Sequence, residues 1–360
     1  MKDAVYNVLS KKVNLFVVHT PFHLVQLERM IADDVIDKRL PSIVFYSVFV
    51  NRNSVHELFD YNSCQIFLLP KNTFSLKQLF KKIVINSVKL NRLIQKYNSI
   101  IKDVFLNTNF TTVILFTGTD KDIFDQTLFF YIDKYFTNIK IVFDEGVGLY
   151  VKENYYSKGV NFLFSMCTKV LFKVPLISIN KLGSHPKSQI IYARYPELIF
   201  KEKNKQYFKI KFESNIKPKY GNYLLIIGRP IYEDHLFLKY LFDAIENTKM
   251  LNKFSRFLKP HPRENANAYK GLPINNLLPK TSFESIGEVP IGMIICFDSS
   301  SLLEIVGSGV EPSRVVNIKF QKKSIISELF NLNDIYYDGD LAEFQKSLEK
   351  RFTQFLEIYA

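Results

Sequence analysis

The chain alternates short apolar runs with longer segments of helical spacing. Val13 to His19 (VNLFVVH) is a buried-strand run, and TPFHLVQLERMIAD follows at once. Phe22, Leu24, Val25, Leu27 and Ile31 in that segment fit one helical face. Thr20 suits the cap of this helix and Pro21 its first turn. PSIVFYSVFV is the next strand run. Strand, helix, strand is the opening of a parallel α/β domain.

Ser75 to Val104 reads as a basic helix or helix pair, with seven Lys or Arg residues from Lys77 to Lys102 among apolar neighbours. Thr111 to Gly118 is a strand with a glycine turn, Ile123 to Phe136 a helix, and Ile139 to Gly146 a strand ending in acids. From Val151 to about Tyr220 the pattern weakens. A second series begins at Tyr223 (YLLIIGRP), with a helix from about Glu233 to Lys249 and the strand FSRFLKPHP. IGMIICFDSSSLLEIVGSG is a strand, a serine turn and a helix stopped by Gly307 and Gly309. SRVVNIKF is a further strand, and Glu343 to Tyr359 a closing helix. The expected organisation is therefore two α/β domains, 1–190 and 221–360, joined by a linker region, 191–220.

Composition agrees with two ordinary globular domains: 360 residues, 47% hydrophobic and 23% charged. The net charge of +13 favours anionic partners. No nucleic-acid module is recognisable, which leaves a nucleotide donor or an anionic lipid surface and argues against nucleic acid. Cys64, Cys167 and Cys296 are odd in number and far apart, so neither a disulfide framework nor a structural zinc site is expected. Charges in the first 18 residues make a poor signal peptide, and no apolar run reaches membrane-spanning length. The expected location is cytoplasmic, with possible peripheral contact on the inner face of the membrane through the basic helix region and the apolar stretch Asn161 to Ser178.

The polar groups of interest stand at strand ends, where open α/β sheets bind ligands. Asp144 and Glu145 precede Gly146 and offer a general base or a helix cap. Glu233 and Asp234 follow the turn Gly228–Arg229–Pro230. In LKPHPRE, Pro260 and Pro262 stiffen the backbone around His261, and Lys259 and Arg263 flank it with positive charge. That arrangement suits an anion. Ser299, Ser300 and Ser301 at a helix start exceed what one cap needs. HTPFHL adds His19, Thr20 and His23 at the first turn, with Thr20 and His23 as acceptor-side candidates, while His185 reads as structural or interfacial. There is no Walker motif, GxGxxG, HExxH, GxSxG or clearly placed DxD pair, so no metal is expected.

Together, TPFHLVQLERMI, FDEG, LLIIGRP, KPHPRE and FDSSSLLEIVGSG resemble bacterial sialyltransferases in order and spacing. The likeness is to the lipooligosaccharide enzymes of glycosyltransferase family 52, with the bacterial polysialyltransferases as close relatives. It implies a GT-B fold, two Rossmann-like domains facing each other across a cleft, the first on the acceptor side and the second on the donor side. It implies inverting, metal-independent transfer from CMP-sialic acid, a donor substrate and not a cofactor, to a galactose-terminated lipooligosaccharide or capsule-type glycan.

By the same resemblance, His261 acts on the departing phosphate and Ser299 and Ser300 hold it, with Ser301 beside them. Gly228, Arg229, Lys259, Pro262 and Arg263 belong to the donor side. The base is either the Asp144–Glu145 pair or Glu233/Asp234, and the former is preferred because it lies in the opposite domain from His261. A homodimer is possible. The alternatives are a GT-B enzyme using another nucleotide sugar, and a non-catalytic glycan- or nucleotide-binding α/β protein.

Overall fold

The apolar runs become the inner strands of two parallel sheets in the computed structural model of the chain. It describes residues 11–59, 64–71, 83–106, 108–151, 158–179, 181–211, 220–228, 235–248, 251–260, 271–278, 291–297, 301–307, 309–320, 325–337 and 339–359. The chain divides into two compact units, Met1–Phe212 and Glu213–Ala360.

The first unit runs β1 (Lys12–Val18), α1 (Pro21–Ala32), β2 (Ser42–Tyr46), α2 (Arg52–Phe59) and β3 (Cys64–Leu68). It continues through α3 (Ile83–Leu106), β4 (Thr112–Thr117), α4 (Ile123–Tyr135), β5 (Thr137–Phe143), α5 (Lys158–Phe172), β6 (Ile190–Ala193) and β7 (Gln206–Lys209). Its sheet has the order β3-β2-β1-β4-β5-β6-β7, and every pair is parallel. Parallel central strands are covered on both faces, which is why β1 and β2 are apolar nearly throughout. One covering layer includes Leu90, Ile94, Phe124, Leu128 and Phe164, and the other Leu24, Leu27, Met30 and Phe59.

The second unit runs β8 (Tyr223–Ile227), α6 (His235–Asn247), β9 (Ser255–Lys259), β10 (Asn276–Leu277) and β11 (Ile291–Cys296). It ends with α7 (Ser301–Gly307), β12 (Val315–Lys319), α8 (Ile325–Phe330), β13 (Asn333–Tyr336) and α9 (Leu341–Tyr359). Its parallel sheet has the order β10-β9-β8-β11-β12-β13. Both sheets reverse direction of winding once, between β1 and β4 and between β8 and β11. Such a switch point opens a crevice at the carboxyl ends of the strands.

The division between Phe212 and Glu213 falls inside the expected linker region, 191–220. β6 and β7 fall at 190–209 and join the first sheet, so the first unit runs past residue 190 into the expected linker. These strands are four residues long and carry a weak apolar signal. Polar contacts distant in sequence hold this region. The Gln126 side chain bonds the backbone N–H and C=O of Ile177. Buried Asp120 accepts from the N–H of Gly183 and His185 and from the Ser188 hydroxyl. His185 packs edge-on against Phe129 and is kept neutral by burial, a structural role. The basic segment expected from Ser75 is described as one helix from Ile83.

Candidate active site

The carboxyl ends of β1, β4, β5 and β6 carry a dense set of ionisable groups. At the end of β1 the chain turns sharply into α1. Thr20 occupies the N-cap position, but its hydroxyl makes no cap bond and is buried without a partner. Pro21 starts the helix with no N–H to satisfy. One turn in, His23 is fully buried.

The Nδ1 atom of His23 accepts the His19 backbone N–H at 3.1 Å, which assigns the ring proton to Nε2. Nε2 is buried without a hydrogen-bond partner and lies 4.0 Å from Oε1 of Glu145. Burial, then the neighbouring His19 charge, holds the His23 pKa well below the usual histidine value, so this ring is neutral. Glycine at 118 makes room for it: a Cβ there would stand 2.4 Å from the imidazole.

His19 behaves oppositely. Its Nε2 meets the buried carboxylate of Asp125 at 2.6 Å. Burial alone would lower its pKa, but attraction to Asp125 and their hydrogen bond outweigh this and raise it to about 9. Asp125 in turn accepts from the Thr117 hydroxyl at 2.5 Å. The His19–Asp125 pair therefore keeps a shared proton through neutral pH. The ring of His19 is 16% exposed, so one edge of this neutral ion pair reaches the surface of the strand ends.

The adjacent acids after β5 have different fates. Asp144 is completely buried. It accepts from Nε and Nη2 of Arg194 at 2.9 Å each, from the Tyr150 hydroxyl at 2.6 Å and from the Gly146 N–H at 2.8 Å. Burial pushes its pKa up, but Arg194 and these donors win and hold it below the usual carboxylate value. Gly146 takes φ 136°, a conformation that favours glycine, and so turns its N–H onto Asp144. Glu145 has no such set of donors. Its side chain is 27% exposed, and Oε2 is buried without a hydrogen-bond partner. Burial raises its pKa, partly offset by Lys121 and His19.

Three unpartnered buried atoms thus gather on neighbouring turns: the Thr20 hydroxyl, His23 Nε2 and Glu145 Oε2. Native proteins rarely leave such atoms unpaired. A raised carboxylate beside a neutral N–H donor is suited to taking a proton from a hydroxylated ligand.

In the second unit, Gly228 follows β8, and its N–H donates to the Lys259 carbonyl at 2.7 Å, which fixes the two strand ends side by side. Lys259 is buried at the end of β9, and burial lowers its pKa. Ser301 is the first residue of α7, half-buried. Arg229, Glu233, Asp234, His261, Pro262, Arg263, Ser299 and Ser300 lie outside the described residues. Among the described residues, no group of three His, Cys, Asp or Glu is arranged to hold a metal, and no helix is long and apolar enough to cross a membrane.

Sequence reasoning did not single out Asp125, Thr117, Tyr150 or Arg194. Asp125 resembles any acid in a first helical turn. Arg194 lies in the weakly patterned region, and only its 50-residue separation in sequence from Asp144, closed by the β5–β6 pairing, gives it meaning.

Solved structures similar to this chain are distant in sequence. The S. aureus MnaA–UDP complex has 11% identity and a TM-score of 0.53, covering 97% of this chain and 90% of its own. The Methanocaldococcus jannaschii UDP-GlcNAc 2-epimerase, in complex with UDP-GlcNAc and UDP, has 12% identity and a TM-score of 0.51, covering 97% and 92%. CalG4, the calicheamicin glycosyltransferase, has 8% identity and a TM-score of 0.50, covering 97% and 95%. These likenesses show the fold, two Rossmann-like units of the GT-B class. None of the curated proteins compared matches the chain.

The family match is more specific. The family model described as alpha-2,8-polysialyltransferase matches residues 14–305, which takes in the β1 turn, the acid–glycine turn and the start of α7. This is the relative named second in the sequence resemblance, and nothing matched points to the lipooligosaccharide family itself. With four-fifths of its length matched and a glycosyltransferase fold beneath, the chain belongs to the alpha-2,8-polysialyltransferase family, a sialyltransferase-type glycosyltransferase.

Proposed function

We propose that the protein is an inverting, metal-independent sialyltransferase that uses CMP-Neu5Ac, with Glu145 as the base. The observation that carries this reading is the unpartnered, raised carboxylate of Glu145 beside the unpartnered Nε2–H of His23. Asp144, its neighbour, has its oxygens engaged by Arg194, Tyr150 and Gly146, and serves to position the turn. Between the two acids, the geometry favours Glu145.

The reaction balances as follows. Glu145 takes the proton of an acceptor hydroxyl. The acceptor oxygen attacks C2 of sialic acid, the new glycosidic bond forms, and the C2–O bond to the phosphate of CMP breaks. CMP leaves with the electron pair. Donors fixed on a leaving phosphate stabilise it where charge develops. The family resemblance gives that task to His261, Ser299 and Ser300, with Gly228, Arg229, Lys259 and Arg263 around the donor. His23 orients Glu145 through a donor bond once their 4.0 Å separation closes.

The galactose-terminated acceptor comes from the lipooligosaccharide resemblance. The matched family's description names an α2,8 linkage, which would be made to another sialic acid.

The test is CMP release from CMP-Neu5Ac in EDTA, with α2,8-linked oligosialic acid in one arm and lactose in the other. Acceptor-dependent release by wild type, at least a hundredfold lower kcat in Glu145→Gln and unchanged CMP binding support the reading. Folded protein that neither binds CMP nor consumes CMP-Neu5Ac overturns it, in favour of another nucleotide sugar or a binding protein.

A further inference from the structure

Helix α5 departs from the pattern of the other surface helices. One side of it is anchored: Phe164, Thr168 and Phe172 are buried against the first unit's core. The opposite side should be polar if water covers it. It is apolar instead. Phe162, Leu163, Met166, Cys167, Val170 and Leu171 are all exposed, with Phe162, Leu163 and Val170 each more than 60% so. At 100° per residue these six positions span roughly half the helix circumference and about 14 Å of its length.

Helix α9 provides the contrast. Its exposed positions include Glu343, Lys346, Lys350 and Glu357, an ordinary solvated face. Among the described side chains of α5 the exposed charge is Lys169, at the edge of the apolar arc, and Lys173 stands just beyond the helix end.

We infer that this face of α5 docks on an anionic lipid surface, with the helix lying in the plane of the interface. An apolar arc on a helix flanked by cations is the arrangement that inserts shallowly among headgroups. Charge decides between this occupant and a second copy of the chain. A second copy would set Lys169 and Lys173 against another body of net charge +13. An anionic bilayer meets the same lysines with the opposite sign, and its acyl boundary covers the aromatic and aliphatic side chains. The inference does not depend on the donor or on the base.

The experiment is flotation of the full chain with phosphatidylcholine vesicles, with and without 30% phosphatidylglycerol, for wild type and the double variant Phe162→Glu/Val170→Glu. Both positions are exposed, and equal thermal unfolding of the two proteins confirms that the fold is kept. The expected result is binding to the anionic vesicles that weakens with salt and falls at least tenfold in the variant. A polarity-sensitive dye on the exposed Cys167 thiol should shift to the blue on anionic vesicles, a reading that needs no variant. Failure of wild type to float, or flotation unaffected by the variant, overturns the inference. A wild-type dimer that does not bind vesicles and dissociates in the variant overturns it in favour of a second copy.

Discussion

The two units share a topology but carry different chemistry at the same edge. At the carboxyl edge of the first sheet four groups are locked in two pairs, the largely buried His19–Asp125 and the buried Arg194–Asp144, and the unpaired atoms of His23 and Glu145 stand on the same edge. At the strand ends of the second sheet, the described residues include Gly228, the buried Lys259 and Ser301. The fold decides where a ligand can approach, while the side chains of each turn decide what it meets. The first edge holds paired and unpaired ionisable groups side by side, and the second holds a buried lysine whose pKa burial lowers.

The sharpest way to break this comparison lies within the first edge. Glu145→Gln should lower kcat on the order of 10²–10⁴-fold, the range for losing a general base, with thermal stability unchanged. Asp144→Asn should do the reverse in kind. Removing one partner of a buried pair costs about 3–5 kcal/mol, seen as a large drop in Tm. If calorimetry finds Asp144→Asn stable and only slow, the two acids have been assigned in the wrong order.

Gly118→Ala comes next. The added Cβ meets the His23 ring at 2.4 Å and must displace it, at about 1–3 kcal/mol for an overpacked core. The loss should be less than additive with His23→Ala, as measured by denaturant unfolding.

A smaller effect concerns pH. The folded His19 pKa is raised to about 9 from 6.5, so the folded state holds an extra proton between those values. Its stabilising contribution is complete below pH 6.5 and declines as pH rises through about 9. His19→Gln should flatten the stability profile in that window. An unchanged slope in the variant would show that His19 is not the group that titrates.

Thr20→Val should have the smallest effect. Its hydroxyl is buried without a partner and makes no cap bond, so the change should be neutral or stabilise by about 1 kcal/mol. A raised acceptor KM at unchanged Tm would mark Thr20 as an acceptor contact.

Much of this molecule was legible in order. The apolar runs located β1, β2, β4, β5, β8, β9, β11 and β12, and the acid–glycine turn stood out as a carboxylate pair at a strand end, open to a general base or a helix cap. The part from Val151 to Tyr220 was not legible. Its strands β6 and β7 are short, and long-range polar contacts such as Asp120 with Gly183, His185 and Ser188 hold the region in place. Such contacts leave no periodicity.

The sequence by itself determined two parallel α/β units and the turns at which chemistry gathers, because burial on both faces of a central strand must be written as a continuous apolar run. Only the tertiary structure gives Asp144 and Glu145 different surroundings. They are adjacent in the chain and chemically alike, and what separates them is Arg194, brought to one of them by the pairing of β5 with β6. It also decided that half of α5 faces outward bare, since an apolar helix reads the same in sequence whether the protein covers one side of it or both.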